Sequence, residues 1–181
     1  MRFSHFTPSL WGFAATLGAL LVAAPSFAAE KVVLKYSILR ESIPVSDLET
    51  LAETGRTDPA LESYIKRAGK KPEDVQRALT NTVKIDIVTL DRALNSLPGN
   101  LMLDELGKAI HTPAGGADRQ ALRAALIKSA EEDGRVSLLE TIQNYPSEAV
   151  VVEGDKLVSA YRQLSKVADP LQKILGILRD F

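Results

Sequence analysis

Lys31-Val32-Val33-Leu34-Lys35-Tyr36-Ser37-Ile38-Leu39 is the stretch on which the fold turns. Its β-branched and aromatic content marks an extended strand. Almost everything that follows is punctuated as helix. A second short apolar run, Ala149-Val150-Val151-Val152, returns to strand character far along the chain. Pairing between these two runs would bring the ends of the domain together. Ile43-Pro44-Val45 reads as a further short strand, confined to an edge because Pro44 has no backbone donor.

Between the two strands the boundaries are those of short helices. Ser46 with Glu49 has capping-box spacing, and Gly55 closes the helix it opens. Thr57 or Asp58 caps the next, with Pro59 in its first turn and Gly69 at its end. Pro72 starts a third, carrying Val75 and Leu79. Val83 and Ile85 look extended, and Asp86 then caps Ile87 to Leu94. Leu101, Leu103, Leu106 and Ile110 recur at helical spacing behind Pro98, and His111 to Gly116 reads as a loop. Asp118 caps a helix to about Ser129, Gly134 breaks it, and Ser137 with Glu140 makes a second capping box. Pro146 stops that helix, and Asp155 caps a last one bent near Pro170. The expected fold is therefore mainly α: one domain of about eight short helices, with a small β element from strands near both ends.

The first 28 residues read differently. Arg2 gives a positive start, Leu10 to Ala24 is apolar apart from Thr16, and Pro25 precedes the small-x-small site Ser26-Phe27-Ala28. That order is a cleavable secretory signal, and the apolar run falls short of the roughly 20 residues a membrane span needs. The expectation is an exported chain, periplasmic or extracellular, with residues 29–168 forming a helical domain and 169–181 an amphipathic C-terminal helix. Removing the signal leaves 21 basic against 23 acidic residues. A near-neutral balance argues against a nucleic-acid partner, which asks for a basic face.

The residue inventory excludes several chemistries. The sequence has no cysteine, so thiolate nucleophiles, thiolate zinc sites and iron–sulfur clusters are out. His111 is the one histidine after the signal, and no Gly-x-Ser-x-Gly elbow presents a serine. Gly115-Gly116 lacks the Lys-Ser/Thr of a phosphate loop. No catalytic residue is assigned and no cofactor is expected, calcium apart. Ser129, Glu131, Asp133, Ser137 and Glu140 fall at positions 1, 3, 5, 9 and 12 of a twelve-residue window, with Gly134 at position 6. This is the spacing of a calcium-binding helix–loop–helix. Ser129 stands where the motif wants a carboxylate, and Gly134 with the Ser137–Glu140 cap explains the same residues without metal.

The C-terminal stretch carries Leu157, Tyr161, Leu164 and Ala168 on one stripe. Beyond Pro170 come Leu171, Ile174, Leu175, Leu178 and Phe181 on another. The first stripe suits the core. The second suits the core or an interaction surface for a protein partner, a second copy or a membrane surface.

Several runs taken together resemble a known family. They are Lys31–Tyr36, Asp47–Gly55, Ile110-His111-Thr112-Pro113, Asp118–Leu126, and Asp133-Gly134 through Leu138-Leu139-Glu140 to Asn144-Tyr145-Pro146. They resemble a cyanobacterial family of unknown function labelled alpha/beta hydrolase. In its larger members this segment precedes a hydrolase domain similar to platelet-activating-factor acetylhydrolase. The resemblance carries over no catalytic residue, because none of these runs is an active-site motif. The expected function is thus an exported, non-catalytic binding or accessory domain, associated with a hydrolase or another envelope protein. The alternatives are an ester or lipid hydrolase with unrecognised catalytic residues, and a calcium-responsive helix–loop–helix module.

Overall fold

The computed structural model describes residues 28–116, 118–157 and 159. Two strands open the fold, β1 (Lys31–Tyr36) and β2 (Leu39–Pro44). Three helices follow: α1 (Val45–Thr54), α2 (Pro59–Arg67) and α3 (Pro72–Thr80). Then come β3 (Thr82–Lys84), α4 (Ile87–Asn95), α5 (Leu97–Gly107) and β4 (Ile110–His111). The last elements are α6 (Asp118–Ala130), β5 (Arg135–Ser137), α7 (Leu138–Gln143) and β6 (Ala149–Glu153), after which residues 154–157 are helical. The architecture is mainly α with a small β element.

The main sheet runs β2-β1-β6-β4. β1 and β6 pair in parallel, Val32 opposite Val150 and Leu34 opposite Val152. The strands near the two ends of the sequence therefore meet at the centre of the sheet. Alternation along each strand puts Val32, Leu34, Val150 and Val152 on one face, where the helices pack. Lys35, Val151 and Glu153 take the other face. A small second sheet pairs β3 with β5 antiparallel, Val83 opposite Val136. The core between sheet and helices gathers Leu48, Leu51, Leu61, Leu94, Leu122 and Ile142, each at most 2% exposed.

Local sequence sets most boundaries. Asp58 accepts from Leu61 N at 2.9 Å and opens α2, with Pro59 in its first turn. Asp86 caps α4 through Thr89 N at 2.9 Å. Gly55 ends α1 at φ 72°, a left-handed conformation that glycine adopts without strain. The Ser137–Glu140 capping box is formed in both directions.

Four expectations are corrected. Ser46 does not cap α1: Val45 N bonds Glu30 O at 2.9 Å, so the helix leaves directly from β2 with Pro44 at the cap position. The edge strand is longer than Ile43–Val45. Residues Ser37 and Ile38 turn the chain, with Ser37 at φ 53°, and β2 begins at Leu39. Ile110 is not helical, because α5 stops at Gly107 and Ile110 pairs with Val152 as an edge strand, carrying His111 into register with Val151. Leu101 is 61% exposed while Leu103 is fully buried, so the apolar stripe of α5 does not point wholly inward.

Candidate functional site

Among the described residues, the helical face of the sheet does not close completely. An apolar cavity of about 330 Å³ lies between β1, β6 and helices α1, α2, α3 and α7. Its wall includes Leu34, Val152, Leu48, Leu61, Leu138 and Leu157. Leu34 and Val152 are a cross-strand pair. Leu61, Tyr64 and Ile65 are the buried i, i+3, i+4 face of α2. The volume falls within the range of small-molecule sites, roughly 300–1,000 Å³.

Tyr64 is one of the polar residues that line the cavity. Tyr64 is 4% exposed, and its hydroxyl has no hydrogen-bond partner among the described residues. Burial raises its pKa above the ordinary phenol value, and the charge of Glu41 adds to the effect. The group is thus a neutral donor across the working pH range. Lys70 also lines the cavity, its ammonium 5.4 Å from the centre of the Tyr36 ring and without a carboxylate partner among the described residues. Gly154 lets that ring lie close: a Cβ there would stand 2.9 Å from Tyr36 Cδ2. Sequence reading missed Tyr64. The helical spacing of Leu61, Tyr64 and Ile65 marks a core face, but nothing in it shows that the phenol lacks an acceptor.

On the opposite face of the sheet, Glu153 draws two lysines and His111 together. Lys156 Nζ lies 2.5 Å from Oε2, and His111 Nε2 and Lys35 Nζ lie 3.2 and 3.4 Å from Oε1. The Lys156 contact first, then His111 and Lys35, hold the carboxyl down to about 2. A carboxylate depressed on folding stabilises the fold above its unfolded pKa, and that contribution drains away as pH falls from about 4.5 toward 2. Glu153→Gln should therefore cost about 1–2 kcal/mol at neutral pH, a figure reduced because the Lys156 side chain is half exposed. Its thermal stability should also be flatter than the parent's between pH 4.5 and 2. Melting curves that run parallel over that interval would contradict the assignment.

His111 is engaged at both ring nitrogens. Nδ1 lies 2.8 Å from Thr112 O and Nε2 faces Glu153. Neither contact is to a hydroxyl, so among the described residues no nucleophile–base pair is assembled on this ring.

Four of the five candidate ligands in the twelve-residue window, Ser129, Asp133, Ser137 and Glu140, make local hydrogen bonds. Glu140 Oε2 accepts from Ser137 N and Ser137 Oγ, both at 2.8 Å. Asp133 Oδ1 accepts from Arg135 N at 2.9 Å. Ser129 Oγ donates to Ala125 O at 2.8 Å and accepts from Asn144 Nδ2 at 3.2 Å. Ser129, Glu131 and Glu140 border an open cleft with Glu30, Glu49 and Glu132. Among the described residues no group of three or more histidine or acidic side chains is arranged to hold a metal ion. Leu171, Ile174, Leu175, Leu178 and Phe181 lie outside the described residues, as does the expected signal sequence up to residue 27.

Neither the curated proteins nor the solved structures include a match to this chain. A family model described as alpha/beta hydrolase of unknown function matches residues 28–153, which span every strand and helix from β1 to β6. With the match covering well over half of its length, the chain belongs to that family, DUF1400.

Proposed function

We propose that this chain is an exported, non-catalytic binding domain that holds an apolar ligand, acting beside a hydrolase or another envelope protein. The observation that carries the reading is the apolar cavity between the β1–β6 pair and helices α1, α2, α3 and α7. Folding ordinarily closes such space, because a lining atom without a neighbour loses its dispersion contacts. A cavity kept open and walled by leucine and valine is suited to a hydrocarbon guest. Export is supported by the order of features in residues 1–28 and by core packing at Ala29, just past the expected cleavage site.

The hydrolase description of the family does not supply a mechanism for these residues. The sequence contains no nucleophile elbow, and His111 contacts a carbonyl and a carboxylate rather than a hydroxyl. The ligand would accordingly be held rather than cleaved.

The neutral fluorophore 1-aminoanthracene, which brightens in apolar surroundings, tests the reading on the full chain. Saturable binding with micromolar affinity is expected. Ala78 lies on α3, solvent-exposed yet at the cavity wall, so a larger side chain there can obstruct the space without straining the core. Ala78→Trp should weaken the fluorophore by at least about tenfold, equivalent to about 1.4 kcal/mol, with little change in melting temperature. Absence of saturable binding to the unsubstituted chain would refute the proposal.

A further inference from the structure

We infer that residues 160–181, the chain beyond the last described helix, seat across the mouth of the apolar cavity and control access to it. The inference rests on the binding reading above and adds the regulation of the same cavity.

The wall is unfinished where that segment departs. Leu34, Val75, Leu138 and Leu157 line the cavity and are only half-buried, and Ala78 beside them is exposed. Apolar surface left against water favours whatever covers it. Residues 154–157 and 159 are helical, and Ser159 Oγ bonds Asp155 O at 3.1 Å. The start of this helix is pinned at the cavity. Ser37 N donates to Asp155 Oδ2 at 2.6 Å, and Gly154 and Leu157 are themselves part of the wall.

From Leu157 the sequence carries the same face forward. Tyr161, Leu164 and Ala168 follow at the spacing of one helical stripe. A helix from Leu157 to Ala168 rises about 16 Å, enough to cross a space of about 330 Å³. An amphipathic segment of this length is marginal alone in water and takes its stability from the surface it packs on. Past Pro170, Leu171, Ile174, Leu175 and Leu178 continue the apolar supply. Charge is compatible with this seat. The segment carries Arg162, Lys166, Lys173 and Arg179 against Asp169 and Asp180. The surroundings of the cavity hold Glu41, Asp74 and Asp155 beside Lys35 and Lys70, so a segment of both signs finds partners there. Tethering favours this occupant over a second copy, because a short link holds it at an effective concentration on the order of millimolar.

The sequence has no cysteine, so an introduced pair is the only source of a disulfide. Ala78→Cys is combined in the full chain with Leu164→Cys or with Ala168→Cys and oxidised with copper–phenanthroline. At least one pair should close within one chain about tenfold faster than the same tail cysteine combined with Val88→Cys. Val88 is exposed on α4, away from the cavity wall. A segment seated about nine-tenths of the time raises the apparent Kd of a competing ligand about tenfold. Leu164→Glu places a charge on the stripe, and should tighten 1-aminoanthracene binding to the full chain about fivefold or more.

Equal closure rates for the Ala78 and Val88 pairs, or disulfides formed between two chains, would overturn the inference. Fluorophore affinity unmoved by Leu164→Glu would overturn it too, and leave the binding reading standing. Fast closure at Ala78 in a chain whose unsubstituted form never binds the fluorophore would uphold the seat and overturn the binding reading.

Discussion

Tyr145→Ala should destabilise the protein by about 4 kcal/mol, the upper range for removing a large ring from a closed interior. Tyr145 is fully buried and is among the largest side chains with no exposure in the fold. It stands just past α7, where its backbone N–H bonds Ile142 O at 3.1 Å. Its hydroxyl lies 3.5 Å from Asp118 Oδ1 at the start of α6. The same carboxylate oxygen accepts from Thr112 N at 2.7 Å and Thr112 Oγ1 at 3.1 Å, at the end of β4. One ring therefore joins the exit of α7, the entrance of α6 and the edge of the sheet. Truncation would leave a void among elements that are each pinned elsewhere by hydrogen bonds and cannot easily collapse into it. At this chain length the melting temperature should fall by roughly 10–15 °C. Tyr145→Phe separates ring from hydroxyl: at 3.5 Å the hydrogen bond is at its geometric limit, so this variant should cost less than about 1 kcal/mol. Denaturant unfolding of both variants decides the matter. An alanine variant within about 1 kcal/mol of the parent would mean that the surroundings close over the gap.

The same region shows what a sequence can and cannot reveal. Its chain punctuation was legible because capping is local chemistry. Asp58, Asp86 and the Ser137–Glu140 pair sit within three residues of the backbone N–H groups they satisfy. That the first strand and Val150–Val152 could pair was legible from their strand composition, across more than a hundred residues, whereas the parallel orientation was not. What was hidden depends on partners far away. Ile110 has helical spacing from Leu103 and Leu106, yet Val152 claims it for the sheet. Ser46 and Glu49 have capping-box spacing, yet Glu30 takes the N–H at the helix start and Glu49 turns to Gln143 at 2.7 Å. Leu101 and Leu103 look alike in a periodic pattern and end on opposite sides of α5. The cavity was the least accessible of all, since a hole is a property of six elements failing to fill one space. Tyr64 carries the pattern of an ordinary core residue.

The glycines of α5 give the second large effect, and they oppose one another. Gly99 and Gly107 lie in the same helix, and both take ordinary negative φ. By intrinsic propensity alone, alanine at either should stabilise the helix by up to about 1 kcal/mol. At Gly107 a Cβ would meet Asp118 Cβ at 3.5 Å and Leu122 Cδ1 at 3.8 Å, both ordinary contacts. Gly107→Ala should therefore be neutral or stabilising. At Gly99 the added Cβ would lie 1.9 Å from Ala93 O and 2.9 Å from Leu94 Cα, backbone atoms of α4. Those atoms have no freedom to withdraw. Ala93 O accepts from Ser96 N at 3.2 Å and Ser96 Oγ at 2.6 Å, while the Ser96 hydroxyl also accepts from Gly99 N at 3.1 Å. Leu94 is itself fully buried, and its carbonyl accepts from Arg123 at 3.3 Å. The α4–α5 reversal is thus closed on itself, and a methyl group can enter only by forcing the two helices apart. That displacement should outweigh the propensity gain and leave Gly99→Ala about 3 kcal/mol less stable than the parent. Measured side by side in denaturant, the two substitutions should move the unfolding midpoint in opposite directions or leave Gly107→Ala unmoved. If Gly99→Ala is as stable as Gly107→Ala, the close approach of α5 to the α4 backbone is not what holds the reversal.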